Sequence, residues 1–141
     1  MGYAIFKDQF GNKFYSKNSV FYHESSKYNN YIDTDNIVIN NILSDKFGNK
    51  YWIKNGLLHR DDGPSCVFVC GDIEYCQNGL LHRVDGPAVQ WISGYKEYYL
   101  NGKLHREDGP AVIHRNGRKE YWLNNKQYNS LEEGLMDQAI G

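Results

Sequence analysis
The sequence predicts an all-β fold: an elongated single-layer array of antiparallel β-hairpins with a short C-terminal helix as a cap. Three observations carry this. Residues 45–128 repeat with a period of 23. Each copy contains an Asn-Gly pair between aromatic-rich runs, the strongest short-range hairpin signal, because a type I′ turn needs two residues at positive φ. The repeats then give way to Ser130-Leu131-Glu132-Glu133, a helix capping box. Fixed-period self-similarity is the most specific organisational signal a single sequence offers.

The copies align without gaps. They begin at Asn55-Gly56, Asn78-Gly79 and Asn101-Gly102. Each runs on through Leu-His-Arg (58–60, 81–83, 104–106) and Asp-Gly-Pro (62–64, 85–87, 108–110). A short apolar run follows (Cys66-Val67-Phe68, Val89-Gln90-Trp91, Val112-Ile113-His114), and then a second turn at Gly71, Gly94 and Gly117. Trp52, Tyr75, Tyr98 and Tyr121 form an aromatic ladder. A partial last copy ends at Asn124-Asn125-Lys126-Gln127-Tyr128, with Asn125 in the glycine position and Tyr128 in the histidine position. Asp-Gly-Pro reads as a reversal in which Gly supplies positive φ and Pro blocks ladder pairing. The pattern predicts about two strands per copy.

Asp8 to Asn18 matches Asp45 to Asn55, so residues 1–24 read as a degenerate terminal copy. Residues 25–44 read as an insertion: a loop rich in Asn, Ser and Asp over Ser25 to Asn41, with one apolar element at Ile37 to Leu43. Residues 129–141 read as the capping helix, with an apolar stripe of Leu131, Leu135, Met136 and Ala139. The whole is expected to form one repeat domain over residues 1–141. Tyr75, Tyr98 and Tyr121 fall on one face of the sheet. Cys76, Tyr99 and Trp122 fall on the other, beside Glu74, Glu97 and Glu120, which points to a thin sheet whose rings stack between hairpins.

Composition narrows the function classes. The chain has 141 residues, a formal net charge of -1, 15% aromatics with 12 Tyr, and a mean hydropathy of -0.70. No charge excess points to duplex nucleic acid. No stretch approaches the roughly 18–20 apolar residues of a membrane span. An odd three cysteines with no apolar leader in residues 1–20 indicate a reducing, cytoplasmic setting.

At this point the residues carry a resemblance. Tyr98-Tyr99-Leu100-Asn101-Gly102-Lys103-Leu104-His105 and Asn116-Gly117 look like MORN repeats. The Leu-His-Arg-x-Asp-Gly-Pro-Ala form resembles a MORN-like variant seen in phage and giant-virus proteins. It covers residues 45–128 well and 8–24 poorly. It implies a single-layer hairpin array used for protein or lipid contacts, not for catalysis. Arg60, Arg83 and Arg106 stand where MORN repeats usually have Gly, which weakens transfer of a lipid-binding role.

The candidate ligand-binding residues are His59, Arg60, His82, Arg83, His105 and Arg106, with Trp91, Tyr99, Arg115 and Trp122. Equivalent side chains recur every ~9–10 Å along such a sheet, so the His-Arg pairs form a cationic ladder suited to phosphate or carboxylate. The alternative is that each Arg pairs with Asp62, Asp85 or Asp108 and locks the architecture. The rings offer a stacking platform for bases or sugars, and the basic last copy (Lys96, Lys103, Arg106, Arg115, Arg118, Lys119) is the place for an anionic nucleotide-like ligand. Triplicate His and Asp argue against a catalytic site, which is normally singular, so no catalytic residue is assigned. Cys66, Cys70, Cys76 and His59 match no zinc spacing, so neither metal nor cofactor is expected. Cys66 occupies the Val89/Val112 position and reads as a small core residue.

The functional expectation is a non-enzymatic binding protein, in a phage setting an anti-defence protein that captures a host immune protein or a nucleotide signal. One alternative is a scaffold or homo-oligomer that self-associates through its sheet edges. The other is a small hydrolase using His82 or His105 on a phosphorylated or glycosidic substrate.

Overall fold
A computed structural model describes residues 4–7, 13–17, 20–23, 31–32, 42–44, 47–54 and 57–140. The described chain is mostly antiparallel β-sheet with one short C-terminal helix. It divides into two compact units, Met1–Leu80 and Leu81–Gly141.

Among the described residues, the first unit holds a four-stranded sheet and a second group of paired strands. In one, β1 (Ala4–Lys7), β2 (Lys13–Lys17), β3 (Val20–His23) and β4 (Tyr31–Ile32) lie in that order. The other contains β5 (Ile42–Ser44), β6 (Lys50–Lys54), β7 (Leu57–Leu58), β8 (Cys66–Val67) and β9 (Ile73–Glu74). The degenerate copy keeps the register of the full one. Ile5↔Tyr15 and Ser16↔Phe21 in the first sheet match Ile42↔Trp52 and Ile53↔Leu58 in the second. The expected loop over Ser25 to Asn41 is corrected at Tyr31–Ile32, which pairs with Phe21 and Tyr22 as β4. A Tyr beside a β-branched residue finds an open strand edge to pair with. The remainder of that stretch, and the Asn55-Gly56 turn, lie outside the described residues. β10 (Cys76–Gln77) and β11 (Leu80–Leu81) follow, with positive φ at Asn78 (51°) and Gly79 (80°) between them.

The second unit shows the repeat's construction. Its strands are β12 (Val89–Gln90), β13 (Lys96–Glu97), β14 (Tyr99–Leu100), β15 (Lys103–Leu104), β16 (Val112–Ile113), β17 (Lys119–Leu123) and β18 (Lys126–Tyr128). The expectation of two strands per copy is corrected: β13 to β16 are four two-residue segments within one copy. The cause is a change of partner at Tyr98. Before it, Glu97 pairs with Val112; after it, Tyr99 pairs with Leu104. Tyr98 bridges the two ladders, its N–H donating to the Ala111 carbonyl and its carbonyl accepting from the His105 N–H.

Two turn types alternate. Asn101 (φ 48°) and Gly102 (φ 78°) form the I′ pair between β14 and β15, and Asn124 (48°) with Asn125 (67°) repeats it without glycine, Asn being the residue that best tolerates the left-handed region after Gly. The other turn has a three-residue loop. The Gly94 N–H donates to the Trp91 carbonyl and the Trp91 N–H to Tyr95, with Gly94 at φ 96°, the type I plus glycine-bulge arrangement.

The Asp-Gly-Pro expectation is also corrected. Gly63, Gly86 and Gly109 do not lie in the left-handed region; a following proline biases its predecessor toward extended backbone. Glycine is needed there for space. A Cβ on Gly63, Gly86 or Gly109 would lie 2.9, 2.8 or 2.9 Å from the Cζ of Arg60, Arg83 or Arg106.

The core repeats as well. Ser65, Ala88 and Ala111 are fully buried, and Cys66, Val89 and Val112 follow them inward, with Leu58, Leu81, Leu123 and Tyr128. Helix α1 (Leu131–Ile140) starts with Ser130 Oγ accepting from the Glu133 N–H, and Glu133 accepting from the Asn129 N–H. Its predicted apolar stripe is not what seats it: Leu135 and Met136 are exposed, and Gly134 is the buried residue. A Cβ there would stand 2.9 Å from both Leu123 and Tyr128. The glycine lets the helix backbone approach those side chains closely, so the contact is narrow and the stripe overhangs it.

Candidate functional site
Each Leu-His-Arg-x-Asp-Gly-Pro segment folds onto itself. Arg106 Nε donates to Asp108 Oδ1 at 2.9 Å, Nη1 donates to the Pro110 carbonyl at 3.1 Å, and Cζ lies 3.9 Å from the Tyr98 ring centroid. Arg60 does the same with Asp62, Pro64 and the Trp52 ring at 4.0 Å. Arg83 repeats the bonds to Asp85 (3.1 Å) and the Pro87 carbonyl (3.2 Å). The Arg60 and Arg106 guanidiniums are thus sandwiched between a ring and a glycine. The Asp partners are 86% exposed, so those ion pairs contribute little; the ring contact and the carbonyl are the better-shielded interactions.

The histidines are committed in a second way. Nδ1 of His59, His82 and His105 accepts the backbone N–H of Asn78, Asn101 and Asn124, respectively, at 3.0, 2.9 and 3.1 Å. Each thereby satisfies the first residue of the following I′ turn, 19 residues on. With Nδ1 accepting, the proton of the neutral ring sits on Nε2. Nε2 of His59 meets Asp61 at 2.8 Å and Nε2 of His105 meets Glu107 at 3.3 Å. The His59 hydrogen bond holds the Asp61 carboxyl below its ordinary value.

Two open grooves of about 510 Å³ each flank these segments. In the first unit Trp52, Lys54, His59, Arg60 and Asp61 line the groove. In the second, Arg83, Val84, Tyr98, Leu100, His105 and Arg106 line it with Asp85, Glu107 and Asp108.

The remaining candidates separate. Tyr99 is 7% exposed and belongs to the core, so its ring is not offered to a ligand. Arg115 is exposed on a hairpin tip. Trp91 is 42% exposed and stacks on Tyr95 at 4.7 Å. Trp122 donates through Nε1 to Glu120 Oε2 at 3.0 Å. That glutamate gathers a cluster the repeat alignment does not reveal, because His114 and Arg118 are not repeated residues. His114 Nε2 lies 2.7 Å and Arg118 Nη2 3.2 Å from Glu120 Oε1, and the Tyr95 ring stands 5.6 Å from that of His114. Tyr95 OH donates to Glu97, and burial pushes its phenol well up.

The hydrogen bonds from His114 and Trp122 hold Glu120 below its ordinary value of 4.5. A carboxyl depressed in the folded state stabilises the fold above its unfolded value, and that stability is lost as pH falls through the folded one. The melting-temperature difference between wild type and Glu120→Gln is therefore expected to be full at neutral pH and to shrink as pH drops below about 4.5. A difference independent of pH would refute this.

Cys66 and Cys76 are buried and Cys70 is exposed. A hydrogen bond with Cys76, and then burial, push the Cys66 thiol up. Iodoacetamide is expected to label Cys70 in the native protein, and Cys66 and Cys76 only after unfolding, as read by peptide mass mapping. Among the described residues, no group of three or more His, Cys, Asp or Glu could hold a metal ion. No described helix is long and apolar enough to cross a membrane.

Comparison of the chain with protein-family models, curated proteins and solved structures finds no match.

Proposed function
We propose that this chain is a non-enzymatic binding protein on a MORN-like hairpin array, and that it captures a protein partner. In the phage setting suggested by the Leu-His-Arg-x-Asp-Gly-Pro-Ala resemblance, the partner is a host defence protein. The observation that carries this reading is the commitment of the repeated polar side chains. Every Arg of the motif bonds its own Asp and its own proline carbonyl, and every His accepts a turn amide. Groups that build the scaffold in each copy leave recognition to the positions where copies differ. The groove in the second unit sets three carboxylates (Asp85, Glu107, Asp108) against two guanidiniums. That balance disfavours a phosphate ligand and favours a protein surface over a nucleotide.

Native mass spectrometry after incubation with host lysate, with calorimetry against mono- and cyclic dinucleotides, tests the reading. Stoichiometric capture of one protein, without nucleotide heat, is the expected result. A folded chain that binds neither overturns it. So does concentration-dependent self-association in light scattering without any partner, which fits the scaffold. Turnover of a phosphorylated or glycosidic substrate that His105→Ala abolishes at unchanged melting temperature would instead establish the hydrolase.

A further inference from the structure
The repeat contains its own template for a ligand. Position 61 is Asp, position 107 is Glu, and position 84, the equivalent in the middle copy, is Val. In the flanking copies the acid accepts from the histidine Nε2, at 2.8 Å in one and 3.3 Å in the other. In the middle copy His82 keeps the scaffold bond from the Asn101 N–H to Nδ1, which leaves the proton on Nε2. That N–H has no partner among the described residues. Val84 is 84% exposed, an apolar side chain presented to solvent where its counterparts are carboxylates.

We propose that His82 and Val84 form a recognition site for a partner protein segment that carries a carboxylate side chain beside an apolar one. The partner's Asp or Glu takes at His82 Nε2 the place of Asp61 and Glu107, and its apolar neighbour covers Val84. A single N–H is the complement of one carboxylate oxygen, whereas a phosphate clamp needs several convergent donors. The neighbouring Arg83 guanidinium is already bonded to Asp85 and the Pro87 carbonyl. The site rests on the proposed capture function and specifies the chemistry of the partner.

Long-range proton–nitrogen spectra of the imidazoles at neutral pH test it, with acetyl-Leu-Asp-Leu-amide, its Asn counterpart and acetate as probes. The Asp peptide is expected to shift His82 Nε2 saturably and to leave His59 and His105 in place. The Asn peptide should bind roughly tenfold more weakly, as expected for a neutral acceptor. Val84→Glu installs the acid of the flanking copies; it should abolish the shift at unchanged or raised melting temperature. Ser93→Glu, which adds the same charge on a hairpin tip, should retain it. A silent His82, equal movement of all three histidines, equal loss in Ser93→Glu, or equal response to acetate would each overturn the proposal. A host protein captured equally by wild type and Val84→Glu sinks this site while leaving the capture function standing. A chain that captures no protein at all sinks the function itself.

Discussion
Replacing Leu123 by alanine is expected to destabilise the protein by about 2–5 kcal/mol, the range for deleting a buried Leu side chain where the surroundings cannot collapse. Leu123 is 2% exposed at the end of β17. It packs under Gly134, whose position leaves no room for even a Cβ beside the leucine. Truncation therefore opens a hole beneath the one buried residue of α1. The helix has 10 residues, too few to persist in water without a docking surface. What else holds it is polar: Tyr128 OH and Lys126 Nζ both donate to Asp137, and Asn124 donates to Gln138. Urea unfolding followed by far-UV circular dichroism should show a lower midpoint, and also native-state helical signal already lost before the main transition. A midpoint shift without that early loss would mean that the polar contacts, rather than the leucine, seat the helix.

Much of this fold was legible because turn chemistry is local. Asn-Gly demands positive φ at two successive residues, and Asn101 and Gly102 have it. The degenerate copy was legible from Asp8 to Asn18 because register follows the same side-chain pattern, and Ile5↔Tyr15 repeats Ile42↔Trp52. Cys66 at the valine position was legible as core, and it is buried. The Asp-Gly-Pro glycine was misread because its constraint is not local: it comes from a guanidinium three residues earlier folding back over it. Tyr99 was placed among the binding residues because periodicity assigns a face without saying whether that face is covered. The His114–Glu120–Arg118 cluster carried no repeat signal, and only cross-strand register brings Glu120 to Val112 and so within reach of His114. The pairing of each His with the turn amide 19 residues on was hidden for the same reason.

Gly109→Ala is the sharper test of the motif, with an expected cost of about 1–3 kcal/mol, the sum of a shielded cation–π contact and one carbonyl hydrogen bond. Space and conformation make separate demands at this position. Gly109 is outside the left-handed region and precedes Pro110, so alanine can adopt its backbone without strain. What alanine cannot do is share the site with Arg106, whose Cζ, Nη1 and Nε would stand 2.9, 3.1 and 3.2 Å from the new Cβ. The guanidinium must then leave the Tyr98 ring and the Pro110 carbonyl. Arg106→Ala alone should cost a similar amount. In the Arg106→Ala background, Gly109→Ala should be neutral or stabilising by roughly 0.4–1 kcal/mol, because it stiffens the unfolded chain. The coupling in this double-mutant cycle should thus equal or exceed the cost of either single change. Arg106→Lys should not restore the loss, since an ammonium lacks the planar fork that lies between ring and glycine. The same cycle at Gly63 and Arg60, over Trp52 at 4.0 Å, should behave alike. Additive effects at either site would place the glycine requirement in the backbone and remove the arginine from the architecture, returning it to the pool of groups free to bind a ligand.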